Sequence, residues 1–183
     1  MYAVLMKLQL IVTILGLNRP GILSAVAQTV AEAGCNILDS RQAIMGKDFS
    51  LTMIIEGGQT SITKAEIKLP MLCHEHDLLS ILKRTSEHCK QNIEHLFSLE
   101  FGGVDSLGIV KTVTALFAKH QVSVTALRQQ TFVDKQTGAN MMRCKMMLSA
   151  PAQVCYSGLE TALNDTLDTL GLSGKLIDKQ TQE

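Results

Sequence analysis

The chain has 183 residues, 46% of them hydrophobic and 19% charged, a balance that supports a packed core and excludes a disordered chain. Its 17 Lys and Arg offset 17 Asp and Glu for a formal net charge of zero, which argues against a protein that grips nucleic acid through a basic excess of its own. The length allows one domain or two small ones.

Five cysteines, Cys35, Cys73, Cys89, Cys144 and Cys155, form an odd set with no C-x-x-C pair, which fits a reducing, cytoplasmic setting. Residues 1–17 lack a basic start, carry Lys7 in the middle and fall short of the ~20 apolar residues of a membrane helix. They read as a strand, and no membrane attachment is expected.

Residues 9–17 are a nearly continuous apolar run, as in a buried strand. They lead into Asn18-Arg19-Pro20-Gly21-Ile22-Leu23. A helix is expected from about Pro20 to Ala33, with Ile22, Val26, Val30 and Ala33 on one stripe and Leu23 and Ala27 widening it. Pro20 has φ preset for a first helical turn and no N–H to leave orphaned there. Gly21, without a Cβ, lets a small molecule approach, and the free N–H groups of that turn form an anion-friendly cradle. Gly34 is the expected C-cap.

Residues 36–45 alternate imperfectly, with Asp39 and Arg41 sharing parity with Ile37, so neither face reads as cleanly buried. Gly46-Lys47-Asp48 turns the chain, and residues 49–55 return as a strand. A short helix over 60–69, closed by Pro70, and a strand over 77–84 complete a β-α-β-β-α-β order. This predicts an α+β, ferredoxin-like domain, an antiparallel four-stranded sheet with both helices on one face.

The order then restarts. Residues 1–86 are expected to form one domain, 87–93 a linker and 94–183 a second domain. The second set is a strand over 94–101, a helix over 107–120, strands over 122–133 and 141–148, a helix over 152–170 and a strand over 172–177. Ile109, Val113, Leu116 and Phe117 mark one buried stripe, and Leu159, Leu163, Leu167 and Leu170 the other. A constant offset of 87 positions pairs Gly21 with Gly108, Ile22 with Ile109, Val26 with Val113, Arg41 with Arg128 and Gln42 with Gln129. The chain therefore reads as a duplicated domain, not a repeat array.

Arg19-Pro20-Gly21-Ile22 at the first turn and Gly34-Cys35-Asn36-Ile37 after the helix resemble the ACT-domain family. The tandem form resembles the ACT regulators that control glycine cleavage. The resemblance implies a non-enzymatic amino-acid sensor with glycine as the ligand, no other cofactor, and contacts at Asn18, Arg19, Pro20, Gly21, Ile22, Leu23, Asn36 and Ile37. It further implies repression of the glycine cleavage operon through a LysR-type transcription activator, without direct DNA binding, and a homodimer through ACT interfaces. A tandem ACT regulator with another amino acid or another protein partner stays open beside it. The family usually has Asp where this chain has Asn18. The second half has Leu107 in place of Pro20 and Ser123 in place of Asn36, leaving open whether it binds anything.

Cys73-His74-Glu75-His76, with His88-Cys89 further on, raises a metal site, but adjacent ligands lack the spacing that lets side chains converge. The cluster reads as an exposed loop. Met141-Met142 and Met146-Met147 read as strand residues filling core and interface gaps. The chain has no G-x-S-x-G, H-E-x-x-H, G-x-x-x-x-G-K-[ST] or G-x-G-x-x-G motif. A small acyl-phosphate hydrolase, the obvious enzyme on this fold, would need a glycine-rich phosphate loop followed by Arg, and the chain has none.

Overall fold

The structure is a computed structural model and describes residues 7–85, 95–151 and 153–179. The chain divides into two compact units, Met1–Cys89 and Lys90–Glu183. The expected linker, 87–93, and the pair His88-Cys89 lie outside the described residues.

The first unit runs β1 (Leu8–Leu17), α1 (Ile22–Glu32), β2 (Asn36–Met45), β3 (Asp48–Gly57), α2 (Gln59–Glu75) and β4 (Leu79–Thr85). The second repeats it as β5 (His95–Val104), α3 (Ile109–Lys119), β6 (Ser123–Val133), β7 (Asn140–Ala150), α4 (Tyr156–Thr169) and β8 (Leu172–Asp178). The sheets are antiparallel, in the orders β2-β3-β1-β4 and β6-β7-β5-β8. This is the ferredoxin-like arrangement, twice.

Strand alternation and helix stripes meet in one core per unit. Leu10, Val12 and Ile14 of β1 and Leu51, Met53 and Ile55 of β3 are buried with Ile22, Val26 and Val30 of α1 and Ile62, Ala65 and Leu69 of α2. In the second unit Phe97, Leu99 and Phe101 pack with Ile109, Val113, Phe117, Leu159, Leu163 and Leu167. Met142 and Met146 are buried here, whereas Met141 and Met147 are half-buried. At about 1.5–3 kcal/mol for each large apolar side chain, burial on this scale is the main force holding each unit together.

Four details differ from the sequence reading. Leu23 is 51% exposed and does not widen the buried stripe of α1. Pro70 does not close α2, which continues to Glu75 with the proline inside it. The stripe Ile62, Ala65, Leu69 and Cys73 holds this last stretch on the core. Cys73 is therefore core and not exposed loop, while His74 and Glu75 lie exposed in the final turn and His76 is the C-cap. Finally, α4 begins at Tyr156 instead of 152.

The irregular alternation after Asn36 has two causes. The register of β2 on β3 shifts between Ile37 and Asp39, which makes Leu38 a bulge. As an edge strand, β2 is also largely uncovered on both faces. The second sheet repeats the shift between Val124 and Ala126.

The hairpins differ in length. Between Met45 and Asp48 the loop is Gly46-Lys47, with Gly46 at φ 67°. Between Val133 and Asn140 it holds six residues, organised by Asp134. The Asp134 N–H donates to the Ala139 carbonyl at 2.9 Å, and its carboxylate accepts from Gln136 N–H at 3.1 Å and Thr137 Oγ1 at 2.7 Å.

Candidate functional site

β1 delivers the chain to Asn18, whose N–H donates to the Lys47 carbonyl at 2.9 Å and ties the turn to the β2–β3 hairpin. Gly21 then takes φ 91° and is the N-cap of α1. That left-handed conformation is closed to most L-residues and open to glycine. Nothing lies within 4 Å of where a Cβ of Gly21 would be, so backbone conformation, and not crowding, is what calls for the glycine. Helical geometry starts only at Ile22. Pro20 consequently lies before the helix and stiffens the loop instead of starting the first turn.

The Gly21 carbonyl accepts from Ala25 N–H at 2.9 Å, and Ile22 N–H donates to the Arg19 carbonyl at 3.3 Å. Among the described residues, the N–H groups of Leu23 and Ser24 find no acceptor. With no acidic residue in the first turn and Arg19 exposed beside it, the end of α1 favours an anion.

Asn36 and Ile37 are not part of this turn. Eleven residues of α1 carry the chain about 16 Å away, to the opposite end of the sheet, where Asn36 pairs with Glu56. The exit from the helix is a Schellman turn: Gly34 at φ 79°, its N–H donating to Ala31 and that of Cys35 to Val30. Asn36 lines a separate hollow of about 440 Å³ with Lys7, Cys35 and Glu56. Lys7 and Glu56 pair there at 2.8 Å, and this hydrogen bond holds the Glu56 carboxyl below its usual range. Burial pushes the Cys35 thiol up, which keeps it protonated. The eight expected residues thus fall into two groups, Asn18–Leu23 at one end and Asn36–Ile37 at the other.

The second unit repeats the first turn. Gly108 caps α3 at φ 88°, its carbonyl accepts from Thr112 N–H at 2.9 Å, and the Asp105 N–H donates to the Asn140 carbonyl at 2.8 Å. Here the turn borders a hollow of about 420 Å³ lined by Asp105, Gly108, Lys111 and, from β6, Gln129. The Asp105 carboxylate stands at the position of Asn18 and accepts from Thr131 Oγ1 at 3.3 Å. Sequence reasoning missed this carboxylate, although the offset that pairs Gly21 with Gly108 also pairs Asn18 with Asp105.

The described residues contain no group of three or more His, Cys, Asp or Glu that could hold a metal ion. No helix among them is long and apolar enough to cross a membrane.

Two ferredoxin-like domains, each with a glycine-capped turn of open amides at a helix start, define a tandem regulatory-domain architecture. The chain belongs to the ACT-domain family: a family model for the ACT domain matches residues 8–82. It also resembles a solved structure provisionally described as a glycine cleavage system transcriptional repressor. That protein is 32% identical, with 94% of this chain and 97% of the other covered at a TM-score of 0.73. The glycine cleavage system transcriptional repressor of Escherichia coli (strain K12) is 29% identical over 167 residues, 91% of this chain and 88% of the relative. A crystal structure of an unknown protein from Galdieria sulphuraria shares the fold, with a TM-score of 0.76, 23% identity and coverage of 94% and 99%. The two repressor likenesses support a regulatory role.

Proposed function

We propose that this chain is a non-enzymatic, cytoplasmic amino-acid sensor that represses the glycine cleavage operon through a protein partner and is relieved by glycine. The observation that carries the ligand class is the second turn. The open amides at the start of α3 suit a ligand carboxylate, and the Asp105 carboxylate, which lines the same hollow, suits its ammonium. In this reading the ligand shifts a balance between partner-bound and free states by its different affinity for the two. The zero net charge favours action through a protein partner over direct DNA contact. A LysR-type activator is the partner in this reading, and self-association through ACT interfaces belongs to it.

Magnitudes limit the site. A helix start contributes about 0.3–1 kcal/mol, up to ~2 when partly buried. A Kd near 1 mM already needs about 4 kcal/mol, so a second surface must close on the ligand. At most ~1.5 kcal/mol per non-hydrogen atom gives about 7.5 kcal/mol for glycine, a ceiling of a few micromolar.

One observation favours a second reading, a tandem ACT regulator for a larger amino acid: the hollow of about 420 Å³ is open to solvent and does not exclude a side chain. Calorimetry of the full chain with glycine, alanine and serine separates the two. Selective glycine binding between micromolar and millimolar, weakened about tenfold or more by Asp105→Asn, is expected, since a charged hydrogen bond is lost. Selectivity for serine transfers the assignment to the second reading. Heat from none of the three sinks the glycine reading and leaves an amino acid larger than serine as the ligand.

A further inference from the structure

We propose that the open face of the second sheet, built on Arg128, Arg143, Lys145 and Lys175, docks an acidic protein surface. It extends the reading above by giving the chemistry of the partner, and rests on that reading only for the partner being a protein.

Strand register places four side chains in one row across the sheet. Arg128 of β6 lies opposite Lys145 of β7, Lys145 opposite Glu100 of β5, and Glu100 opposite Lys175 of β8. Arg143 follows two residues along β7 on the same face. All five are exposed. Glu100 accepts Lys145 Nζ at 2.7 Å and also feels the charges of Arg143 and Lys179, so this single carboxylate faces several cations, and Arg128 and Lys175 form no ion pair among the described residues.

The duplication supplies an internal control. The matching row of the first sheet is Arg41, Thr52, Thr13 and Ile81, in the same register. There Thr13 and Thr52 share a hydroxyl hydrogen bond of 3.1 Å where the second sheet has the Glu100–Lys145 pair. The framework therefore forms without these cations. Like charges directly opposite on neighbouring strands, as Arg128 and Lys145 are, work against the sheet. Their presence is explained by something outside it that brings negative charge.

The surroundings select the class of partner. On one side the cationic row is followed by Ala126, Met147, Ser98 and Ile177. Beyond Arg143 lie Phe132, Met141 and Val104, of which Phe132 and Val104 are exposed large apolar side chains. Arginines among methionines and an aromatic are the composition of a protein interface. The flat mixed face offers no run of aromatics on which bases could stack. A second copy of the same face would set cation against cation.

The test uses the full chain, a fluorescent poly-glutamate peptide and a fluorescent oligo-dT of equal length, followed by anisotropy at low and physiological salt. Poly-glutamate is expected to bind, more weakly as salt rises. The triple variant Arg128→Ala, Arg143→Ala, Lys175→Ala should lose about tenfold in affinity. The pair Arg41→Ala, Lys83→Ala on the first sheet should match the wild type. Absence of binding, or equal binding by the triple variant, overturns the proposal. Tighter oligo-dT binding through the same residues overturns it in favour of nucleic acid. Glycine calorimetry on the triple variant keeps the sensor reading separate, because these side chains lie off both turns.

Discussion

Asn18 and Asp105 make the same hydrogen bond in the two halves of the chain: each donates its backbone N–H to a hairpin carbonyl, Lys47 at 2.9 Å and Asn140 at 2.8 Å. The side chains differ by one atom and one charge. Both turns are thus anchored alike, while only the second carries a carboxylate at this position.

Each anchored turn ends on a glycine with φ near 90° and open space around it. Gly21→Ala and Gly108→Ala should each lower stability by about 1–2 kcal/mol in urea unfolding, because the cost is conformational. Asparagine, which tolerates this region, should cost less than alanine at both positions. Equal costs for the two substitutions would show that crowding decides instead.

Pro70 lies inside α2, where its missing N–H leaves the Glu66 carbonyl without its helical donor. Pro70→Ala should therefore raise the urea midpoint, with a gain of about 1–3 kcal/mol in unfolding free energy on helix propensity alone. A lower midpoint would show that the proline is needed for the shape of the helix.

Arg84 of β4 grips Glu66 of α2 through two bonds of 2.7 Å. This hydrogen bonding holds the Glu66 carboxyl below its ordinary range. A carboxylate lowered by folding contributes stability above its unfolded value, about 4.3, and loses it as pH falls through the folded value. Glu66→Gln should accordingly be less stable than the wild type near neutrality, with the gap closing in acid. A gap that persists after the carboxyl is protonated would point to a packing defect.

Among the described cysteines, Cys155 is exposed at the start of α4, and hydrogen bonds from Ser157 and the Gly158 amide lower its thiol. Burial raises the thiols of Cys35, Cys73 and Cys144. Iodoacetamide on the native protein should mark Cys155 well before those three, as read by peptide mass spectrometry. Comparable rates at Cys73 or Cys144 would mean that the cores open readily.

The fold was legible because its signals are local and repeated: two sets of apolar strands and helix stripes, related by a constant offset. Pro70 misled because proline is a common helix stop, yet Leu69 and Cys73, four residues apart, continued the stripe beyond it. Asn36 was grouped with Gly21 by motif, although the helix expected between them already required their separation. The Leu38 bulge left only a broken alternation, since a bulge is set by pairing across strands. Asp105 needed no structure, only the repeat read through to the turn. The cationic row was illegible for another reason: its members come from four strands, and only the register aligns them.

The six-residue hairpin at 134–139 shows where this architecture accepts extra chain. The first unit closes the same hairpin with two residues, yet the rows beyond it match strand for strand. Lengthening such a loop costs only about 0.6 kcal/mol per doubling. It is thus a natural attachment point for a reporter. Because Asn140, at its end, holds the Asp105 turn, an environment-sensitive dye on an exposed loop residue such as Lys135 would report from beside the candidate pocket, turning the protein into an optical metabolite probe without disturbing either core.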